Sequence, residues 1–486
     1  MNLQWGRMLV YPEGYFSRRI MVRTSLTLPQ GWRFSTALEE DSRDGDTVSF
    51  RTTPLDVLVD SPVMAGRHTR DLALDESGAV RIALFAHEEE HLTAGGEHIA
   101  LKQALVQQAE KLFGARHFDR YRFLVALSEE LGGGGVEHHR SAEIVLSPSY
   151  FSEWDKHLPR RDVFGHEFTH SWNGKFRRGA DSWTPSFEVS IRNSLMWLYE
   201  GQTQYWGHVL TARSGLWPRG LAIDALAKIA ATYDVRPGGL WRTMADTTRD
   251  PIINGRDPLP WPSWQRNEDY YSEGLLMWLS IDTLIRELSG DKRSLDDFAR
   301  AFFGVEPGRM ETLTYDMDEV VETLRGVVDH DWGGMIEQLL RDRSSGAPLE
   351  GLKRGGYRLV YRPERNEFCK RFDASAGQLD MRFSIGINIG SDGTIQETMW
   401  GSAAFEAGLV RGALVQKING SDYGEGSFYT AVQRAAHGEQ LVLTVRTRPQ
   451  SKSHTVNVRY DQGHRFPHLE SVEGARRRLD EIFAAL

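Results

Sequence analysis

The sequence has one cysteine, no long apolar run and no excess of positive charge. Cys369 alone excludes an intramolecular disulfide and a cysteine-rich zinc site. No apolar stretch approaches the length of a membrane span. The formal net charge of −9 argues against nucleic acid as the main partner, because phosphate binding needs a concentrated basic surface. What remains is a globular chain whose 486 residues suffice for three or four domains.

The N-terminal residues Met1–Gly6 lack the basic and then apolar segments of a signal peptide. We therefore expect a soluble chain whose compartment the sequence does not identify. A periplasmic or secreted location, reached through a longer precursor, stays open beside a cytoplasmic one.

The segment His166–His170 has the pattern H-E-x-x-H inside a stretch that favours a helix. Residues four positions apart lie on one face of a helix, so His166 and His170 can bind one metal ion. Glu167 would then lie within reach of a water molecule that the metal activates. This arrangement is typical of zinc hydrolases, in which zinc is the Lewis acid and a carboxylate is the general base.

A second match, His87–His91, offers a comparison within the same chain. All three residues between its histidines are glutamates, and it follows Val80–Phe85, whose composition predicts a strand. Adjacent carboxylates resist burial, whereas Phe168 and Thr169 of the other match are uncharged. We therefore predict that His87 and His91 are not metal ligands.

Catalytic zinc usually takes three protein ligands and one water molecule. Glu200 is the best third candidate, because it is the only acid in Ser194–Trp206, where apolar residues recur at helical spacing. A buried carboxylate is costly unless it is paired or binds a metal. A salt-bridged core glutamate is the alternative.

These motifs resemble those of the gluzincin metallopeptidases, and in particular the glycyl aminopeptidase family, whose members end in a PDZ domain. The resemblance rests on H-E-x-x-H followed by W-x-x-E-G-x-T and on further stretches, in matching order and spacing, along nearly the whole chain. The stretches are Leu58–Val63, Leu112–Gly114, Phe118–Tyr121, Gly133–His138, His166–Asn173 and Tyr270–Gly274.

The resemblance assigns the metal site and the base. His166, His170 and Glu200 match the zinc ligands, which implies one zinc ion per chain, and Glu167 matches the general base. The spacing from His170 to Glu200 is longer than in the aminopeptidase N branch, so the substrate preferences of that branch are not carried over.

The resemblance also assigns the substrate contacts. Glu137 matches the glutamate that binds the free α-amino group, with Gly134 and Gly135 allowing the backbone to approach the peptide. A plain flexible loop is the alternative for these glycines. Tyr271 matches the tyrosine that donates a hydrogen bond to the oxyanion of the tetrahedral intermediate. Tyr270 competes for that role, and an ordinary core tyrosine is the other alternative.

Two further points concern the fit to the family. Glu273 stands where relatives commonly have lysine, which leaves the electrostatics near Tyr271 open. The resemblance implies a chain that begins part-way into the family's N-terminal β-domain.

The hydrophobic patterning predicts a multidomain α+β fold. Residues up to about 95 alternate apolar and polar, which indicates an antiparallel β-domain. Helical spacing over Ile99–Phe113 and strands at Tyr121–Leu127 and Ala142–Leu146 lead to the zinc helix, as in a thermolysin-like lobe with a mixed sheet. Helices dominate from Pro218 to about Leu340, with Tyr271 expected at the rim of the cleft.

The C-terminal part resembles a PDZ domain. Gly401–Leu409 followed by Gly412–Gly420 predicts a short helix leading to a strand and an N-G turn. PDZ domains bind extended peptides by adding a strand to a sheet edge. The groove loop would be Phe383–Gly386, a poor match to the usual glycine-rich loop, so a purely structural module is the alternative. Residues 470–486 predict an amphipathic helix.

The predicted domains are an N-terminal β-rich domain (1–95), a thermolysin-like catalytic lobe (96–217), a helical lobe that completes the active-site cleft (218–342), a linker with connecting strands (343–377), a PDZ-like domain (378–460) and a C-terminal helical tail (461–486).

The leading functional hypothesis is a zinc aminopeptidase that removes small N-terminal residues, such as Gly or Ala, from peptides. A broader peptidase that also cuts internally is the second hypothesis, and it would not need Glu137 to contact an amine. The third is a non-catalytic peptide-binding protein that acts through its PDZ-like domain. The intact set of His166, Glu167, His170 and Glu200 argues against the third.

Overall fold

A computed structural model of the protein describes residues 1–250 and 261–486. The strands up to residue 146 are β1 (Asn2–Leu3), β2 (Met21–Val22), β3 (Ser25–Thr27), β4 (Arg33–Ser35), β5 (Glu40–Asp44), β6 (Thr47–Phe50), β7 (Thr53–Pro54), β8 (Val63–Gly66), β9 (His68–Ala73), β10 (Val80–Ala86), β11 (Tyr121–Leu127), β12 (Gly134–Glu137) and β13 (Ser141–Leu146). The later strands are β14 (Arg177–Gly179), β15 (Leu313–Tyr315), β16 (Tyr357–Arg362), β17 (Gln378–Met381), β18 (Ile387–Gly390), β19 (Ile395–Thr398), β20 (Leu414–Ile418), β21 (Ser421–Asp422), β22 (Leu441–Arg446), β23 (His454–Val458) and β24 (Phe466–Ser471).

The α-helices of the described residues are α1 (Leu55–Val59), α2 (Gly96–Phe113), α3 (Asp162–Thr169), α4 (Met196–Tyr199), α5 (Gly201–Arg213), α6 (Arg219–Asp234), α7 (Met244–Thr247), α8 (Pro262–Gln265), α9 (Ser272–Leu288), α10 (Leu295–Phe303), α11 (Met317–Val327), α12 (Trp332–Arg341), α13 (Glu350–Arg354), α14 (Glu367–Ala376), α15 (Ala403–Glu406), α16 (Glu425–Ala435) and α17 (Arg478–Ile482). None of them is both long enough and apolar enough to cross a membrane.

The chain divides into two compact units. The first contains Met1–Trp217, Ser289–Trp332 and Phe483–Leu486, and the second contains Pro218–Leu288 and Gly333–Ile482. The multidomain α+β class expected from the patterning is therefore observed, with a β-rich N-terminal part followed by a mixed α and β core.

The N-terminal part of the first unit is built from small antiparallel sheets. Their strand orders are β1-β8-β4, β3-β6-β5 and β2-β7. Alternating side chains of β6 turn inward, so Val48 and Phe50 are buried with Leu55 and Leu58 of α1. This alternation is the pattern that predicted an antiparallel β-domain.

A five-stranded sheet of order β12-β13-β11-β10-β9 forms the centre of the first unit. Strands β10, β11 and β13 are parallel, and β9 and β12 pair antiparallel at the two edges. The central strand Tyr121–Leu127 is apolar almost throughout because both of its faces are covered. The predicted domain boundary at residue 95 separates β9 and β10 from the rest of this sheet, since β10 pairs with β11 and β9 pairs with β10.

Residues 289–332 differ from the prediction of a continuous helical lobe over 218–342. They belong to the first unit, where α10 packs against α2 and β15 pairs with β14. Helical periodicity identifies the helices of this segment, but it does not identify the surface against which they pack.

The second unit combines helices with three small sheets. Strands β16 and β24 form a two-stranded sheet, and the other sheets have the orders β17-β18-β19 and β21-β20-β22-β23. One core joins the latter two sheets to α16, with Ile387 of β18, Leu443 of β22 and Phe428 of α16 all fully buried. Strand β18 is paired on both of its edges, by β17 and by β19.

The predicted amphipathic helix over residues 470–486 is wrong in its extent. Residues Phe466–Ser471 form β24, which pairs with β16, and only Arg478–Ile482 form a helix. The alternating pattern of residues 466–471 fits a strand because β16 pairs with it. Short-range periodicity does not reveal that distant partner.

Candidate metal centre

Helix α3 presents its histidines on the side opposite its apolar residues. Phe164 and Phe168 are fully buried and pack against the rings of Tyr121 and Phe123 in the sheet. Residues two positions away lie about 200° around a helix, so His166 points away from the sheet. His170, directly after the last helical residue, points the same way as His166.

Helix α5 brings the third candidate ligand to α3. Glu200 lies between α4 and α5, and the backbone of Gly207 in α5 lies against α3. A Cβ atom at position 207 would lie 3.0 Å from the Cα of His166, so a larger residue would push the two helices apart. In the sequence, Gly207 is visible as a glycine inside a helical pattern. The pattern does not show that α3 is the helix that Gly207 contacts.

The three candidate ligand atoms lie close together. The Nε2 atoms of His166 and His170 are 3.1 Å apart, and the Oε2 atom of Glu200 is 3.4 Å and 3.3 Å from them. Four-coordinate zinc, with ligand atoms at about 2.0–2.2 Å, keeps those atoms about 3.3–3.5 Å apart. Oε2 of Glu200 is buried and accepts no hydrogen bond within the described residues. The donor set and its spacing therefore fit a tetrahedral zinc ion.

A hydrogen bond on the side of the ring away from the metal site orients His170. Its Nδ1 donates to the carbonyl oxygen of Asn173 at 2.9 Å, which leaves Nε2 with its lone pair toward the site. The side chain of Asn173 in turn donates to the carbonyl of Leu198 at 2.9 Å and to the hydroxyl of Thr203 at 3.0 Å. The loop after α3 is thereby tied to the segment that carries Glu200.

Three carboxylates meet at this site, and their pKa values are shifted in different directions. Burial raises the pKa of Glu167, and the charges of Glu137 and Glu200 act in the same direction. Burial alone would also raise the pKa of Glu200, but His170, when it is protonated, holds it well below its usual range. Such a concentration of buried negative charge is stabilised by a bound cation.

The edge strand β12 places its glycines against the candidate base. A Cβ atom at position 135 would lie 2.1 Å from Oε1 of Glu167, so only glycine leaves room for that carboxylate. Glu137, at the end of the same strand, has a carboxylate oxygen within 4.8 Å of ligand atoms of both Glu167 and His170. Gly134 lies in the strand with them. The structure thus brings Glu137, Gly134 and Gly135 to the same site as the histidines.

A buried ion-pair network follows Glu137 and was not predicted from the sequence. His138 lies between Oδ1 of Asp60, at 3.2 Å, and Oε2 of Glu143, at 3.0 Å. Lys175 also contacts Asp60 at 2.8 Å. Burial alone would lower the pKa of His138, but its hydrogen bonds to the two carboxylates raise it to about 9. Its members come from three separate stretches of the chain, so no local pattern marks them.

Tyr271 belongs to the second unit and lies directly before α9. Its ring stacks on that of Tyr270, with 5.1 Å between the centroids. Tyr270 is buried, whereas Tyr271 is partly exposed. Glu273 pairs with the guanidinium of Arg266, which also contacts Asp269 at 2.8 Å. The carboxylate of Glu273 therefore has a local cationic partner.

The histidines of the other H-E-x-x-H match do not share a helix. His87 follows β10, and its Nε2 lies 3.3 Å from the hydroxyl of Ser128. His91 ends a three-residue 3₁₀ turn formed by Glu89–His91. The four-residue spacing therefore does not place His87 and His91 on one face of an α-helix.

Family models match two parts of the chain. Residues 160–277 match the M61 glycyl aminopeptidase model, and residues 1–67 match the model of the M61 N-terminal domain. The first range includes His166, Glu167, His170, Glu200 and Tyr271. Over these two ranges the chain is similar to the M61 glycyl aminopeptidase family. It is accordingly a zinc metallopeptidase, and the family resemblance inferred from the motifs is confirmed.

A solved structure shares the fold of this metallopeptidase. An aminopeptidase N family protein from Idiomarina loihiensis superposes with a TM-score of 0.71 at 18% identity, over 97% of this chain and 80% of that chain. An M1 zinc metallopeptidase from Deinococcus radiodurans has a TM-score of 0.44 at 14% identity, over 67% and 64% of the two chains. Native yeast LTA4 hydrolase has a TM-score of 0.46 at 15% identity, over 69% and 49%. No curated protein sequence matches the chain.

Proposed function

We propose that this metallopeptidase is an aminopeptidase that removes small N-terminal residues, such as Gly or Ala, from peptides. The observation that carries the proposal is the position of Glu137, whose carboxylate lies within 4.8 Å of Glu167 and His170. A carboxylate so near the base suits a group that binds the free amine of a peptide whose first bond is cut. The similarity of residues 160–277 to a family named for glycyl aminopeptidases supports the same proposal.

In this proposal His166, His170 and Glu200 hold one zinc ion. Zinc there would supply Lewis-acid chemistry, which lowers the pKa of water and polarises the scissile carbonyl. Glu167 takes a proton from the attacking water and later delivers it to the nitrogen of the leaving amine. The buried position of Glu167, beside His170 and Glu137, suits a group that exchanges a proton with water at the metal.

The substrate contacts in this proposal come from β12 and from the tyrosine before α9. Glu137 pairs with the α-ammonium group, and the backbone of Gly134 and Gly135 lies along the peptide. Tyr271 donates a hydrogen bond to the oxyanion of the tetrahedral intermediate. Its partial exposure, compared with the buried Tyr270, favours Tyr271 for that role.

The domain assignment is part of the same proposal. Residues 96–217 would be a thermolysin-like catalytic lobe, and residues 378–460 would be a PDZ-like module. In such a module β18 is the strand to which a peptide would add. Because β17 and β19 already pair with the two edges of β18, addition there requires one of these strands to be displaced. This pairing favours a structural role for the module over peptide capture.

The deciding experiment compares a peptide that has a free N-terminus with its N-acetylated form, with and without a chelator. We expect chelator-sensitive cleavage of the free peptide only. Glu137→Ala should lose on the order of 2–5 kcal/mol of transition-state stabilisation for the free peptide, because a partly desolvated charge pair is removed. Glu137→Gln, which keeps the shape without the charge, should be nearly as damaging.

Glu130→Gln is the matched control, since this acid precedes β12 and its side chain is 80% exposed. It should behave as wild type. If wild type cleaves the acetylated peptide equally well, or if Glu137→Ala equals wild type on both peptides, the amine contact is wrong. The hypothesis of a broader peptidase that also cuts internally would then be favoured.

A further inference from the structure

The carboxylate of Glu137 is held by a tyrosine that the family motifs do not mark. Tyr199 ends α4, directly before Glu200, and its hydroxyl donates to Oε1 of Glu137 at 2.7 Å. Among the described residues, this hydroxyl is the only hydrogen-bond donor to that carboxylate. The contact joins residues 62 positions apart, which come from the edge strand and from the segment of the third ligand.

The ring of Tyr199 is fixed by its surroundings. Gly174 has a φ of +108°, and a Cβ atom there would lie 2.4 Å from the Cζ atom of Tyr199. Glycine therefore makes the space that the phenol ring occupies. On another side the ring packs against that of His170, with 5.1 Å between the centroids. A side chain confined in this way presents its hydroxyl at one place, with little freedom to follow a moving carboxylate.

A neutral hydroxyl has a specific consequence for the carboxylate that it contacts. It occupies one oxygen and leaves the second oxygen for another donor. It adds no positive charge, so the carboxylate keeps the full charge with which it can attract an ammonium group. Lysine or arginine at this position would neutralise the carboxylate and compete with an amine for it.

We propose that Tyr199 is a positioning residue that orients Glu137 for the free amine of the substrate, and so contributes to the selection of unblocked N-termini. This inference rests on the proposed function, because it assumes that Glu137 binds that amine. In this proposal Tyr199 acts through Glu137, to which its hydroxyl donates.

The test is Tyr199→Phe, which removes the hydroxyl and keeps the ring. Hydrolysis of alanine p-nitroanilide should show a KM raised about 10- to 100-fold, the loss expected for one hydrogen bond to a charged group. The value of kcat should change much less, because an interaction made equally in the ground and transition states affects KM. Zinc content and melting temperature should stay at the wild-type values.

Tyr150→Phe is the matched control. Tyr150 is fully buried in the same unit, and its hydroxyl has no hydrogen-bond partner among the described residues. This variant removes a buried phenol oxygen without removing a contact, so its KM should equal that of wild type. Calorimetric binding of alanine amide gives a second readout, and Tyr199→Phe should weaken it by the same factor.

A double-variant cycle separates this inference from the proposal on which it rests. If Tyr199 acts through Glu137, adding Tyr199→Phe to Glu137→Gln should cause little further loss. Losses that multiply, a wild-type KM in Tyr199→Phe, or a loss of zinc from it would each overturn the role of Tyr199. If Glu137→Gln alone leaves KM unchanged, the amine contact itself fails, whatever Tyr199→Phe does.

Glu137→Asp provides a second route to the same contact. It keeps the charge but withdraws the carboxylate by one methylene, which breaks the 2.7 Å hydrogen bond. A raised KM for alanine p-nitroanilide is expected, and adding Tyr199→Phe should then cost nothing further. A further loss in that combination would show that the hydroxyl acts on something other than Glu137.

Discussion

The two H-E-x-x-H segments of the first unit have the same five-residue pattern and entirely different structures. Residues 166–170 lie in and directly after α3, where the Nε2 atoms of the two histidines are 3.1 Å apart. Residues 87–91 begin at the end of β10 and close in a 3₁₀ turn. The side chain of His87 is 59% exposed, whereas that of His170 is 1% exposed.

The difference shows that the spacing of a ligand motif brings its residues together only when the segment forms the secondary structure that the spacing assumes. Four-residue spacing aligns side chains on an α-helix, but alternation on a strand sends neighbours to opposite faces. The residues between the histidines decide which element forms. Phe168 and Thr169 allow α3 to be buried, and the three glutamates after His87 keep that segment at the surface.

The largest expected difference between the segments is in metal binding. Replacing His166 and His170 with alanine removes two of three candidate ligands, so zinc content should fall from about one per chain to near zero. Peptidase activity should disappear with the metal. Replacing His87 and His91 with alanine should leave both quantities unchanged. Metal content by mass spectrometry, in proteins whose folding is checked by circular dichroism, measures the contrast.

Loss of zinc from the folded His87 and His91 variant would mean that the wrong segment was chosen. Metal retained in the His166 and His170 variant would contradict the ligand set itself. Glu200→Gln tests the third ligand independently of the two histidines, because the amide keeps the shape of the side chain and loses its charge.

The next difference concerns the glutamate that follows the first histidine. Glu167→Gln should lower kcat about 10²- to 10⁴-fold with zinc retained, because the ligands stay and only the base is lost. Glu88→Gln, at the equivalent position of the other segment, should leave kcat unchanged. Steady-state kinetics on a free-amine peptide, with zinc measured in the same samples, tests the pair. Turnover retained in Glu167→Gln would exclude this residue as the base.

Much of the first unit could be predicted from sequence because its signals are local. The strand expected at Tyr121–Leu127 has those bounds, and the helix expected from Ile99 begins at Gly96 and ends at Phe113. Glu200 could be singled out because an acid inside an apolar helical stretch needs a partner. The structure brings it to 3.3 Å from His170.

What the sequence could not predict depends on contacts between distant residues. Asp60 contacts His138 across 78 positions, and Tyr199 contacts Glu137 across 62. Residues 289–332 have helical periodicity, yet that pattern does not reveal that α10 packs on α2. The prediction of a helical C-terminal tail fails over β24, whose partner β16 lies about a hundred residues earlier. Periodicity describes a residue's neighbours along the chain and not its neighbours in space.

The smallest expected difference compares two histidine–carboxylate pairs, one buried and one exposed. Hydrogen bonds to Asp60 and Glu143 outweigh the effect of burial and raise the pKa of His138 from 6.5 to about 9. A folded pKa above the unfolded value means that protonated His138 stabilises the fold. Its contribution to the free energy of unfolding, about 3 kcal/mol, is complete below about pH 6.5 and is lost as the pH rises to about 9.

His87 also has a carboxylate neighbour, with its Nε2 3.7 Å from Glu130, but both side chains are largely exposed. Solvent screens such a pair, so it should add almost nothing to stability at any pH. His138→Gln should therefore flatten the decline in unfolding free energy between pH 6.5 and 9, measured by urea denaturation, while His87→Gln should keep the slope of wild type. Equal slopes in wild type and His138→Gln would show that the charge of His138 is not what the buried network requires. In that case a buried charge would not distinguish His138 from His87. Hydrogen bonding alone would then explain why His138 lies between Asp60 and Glu143.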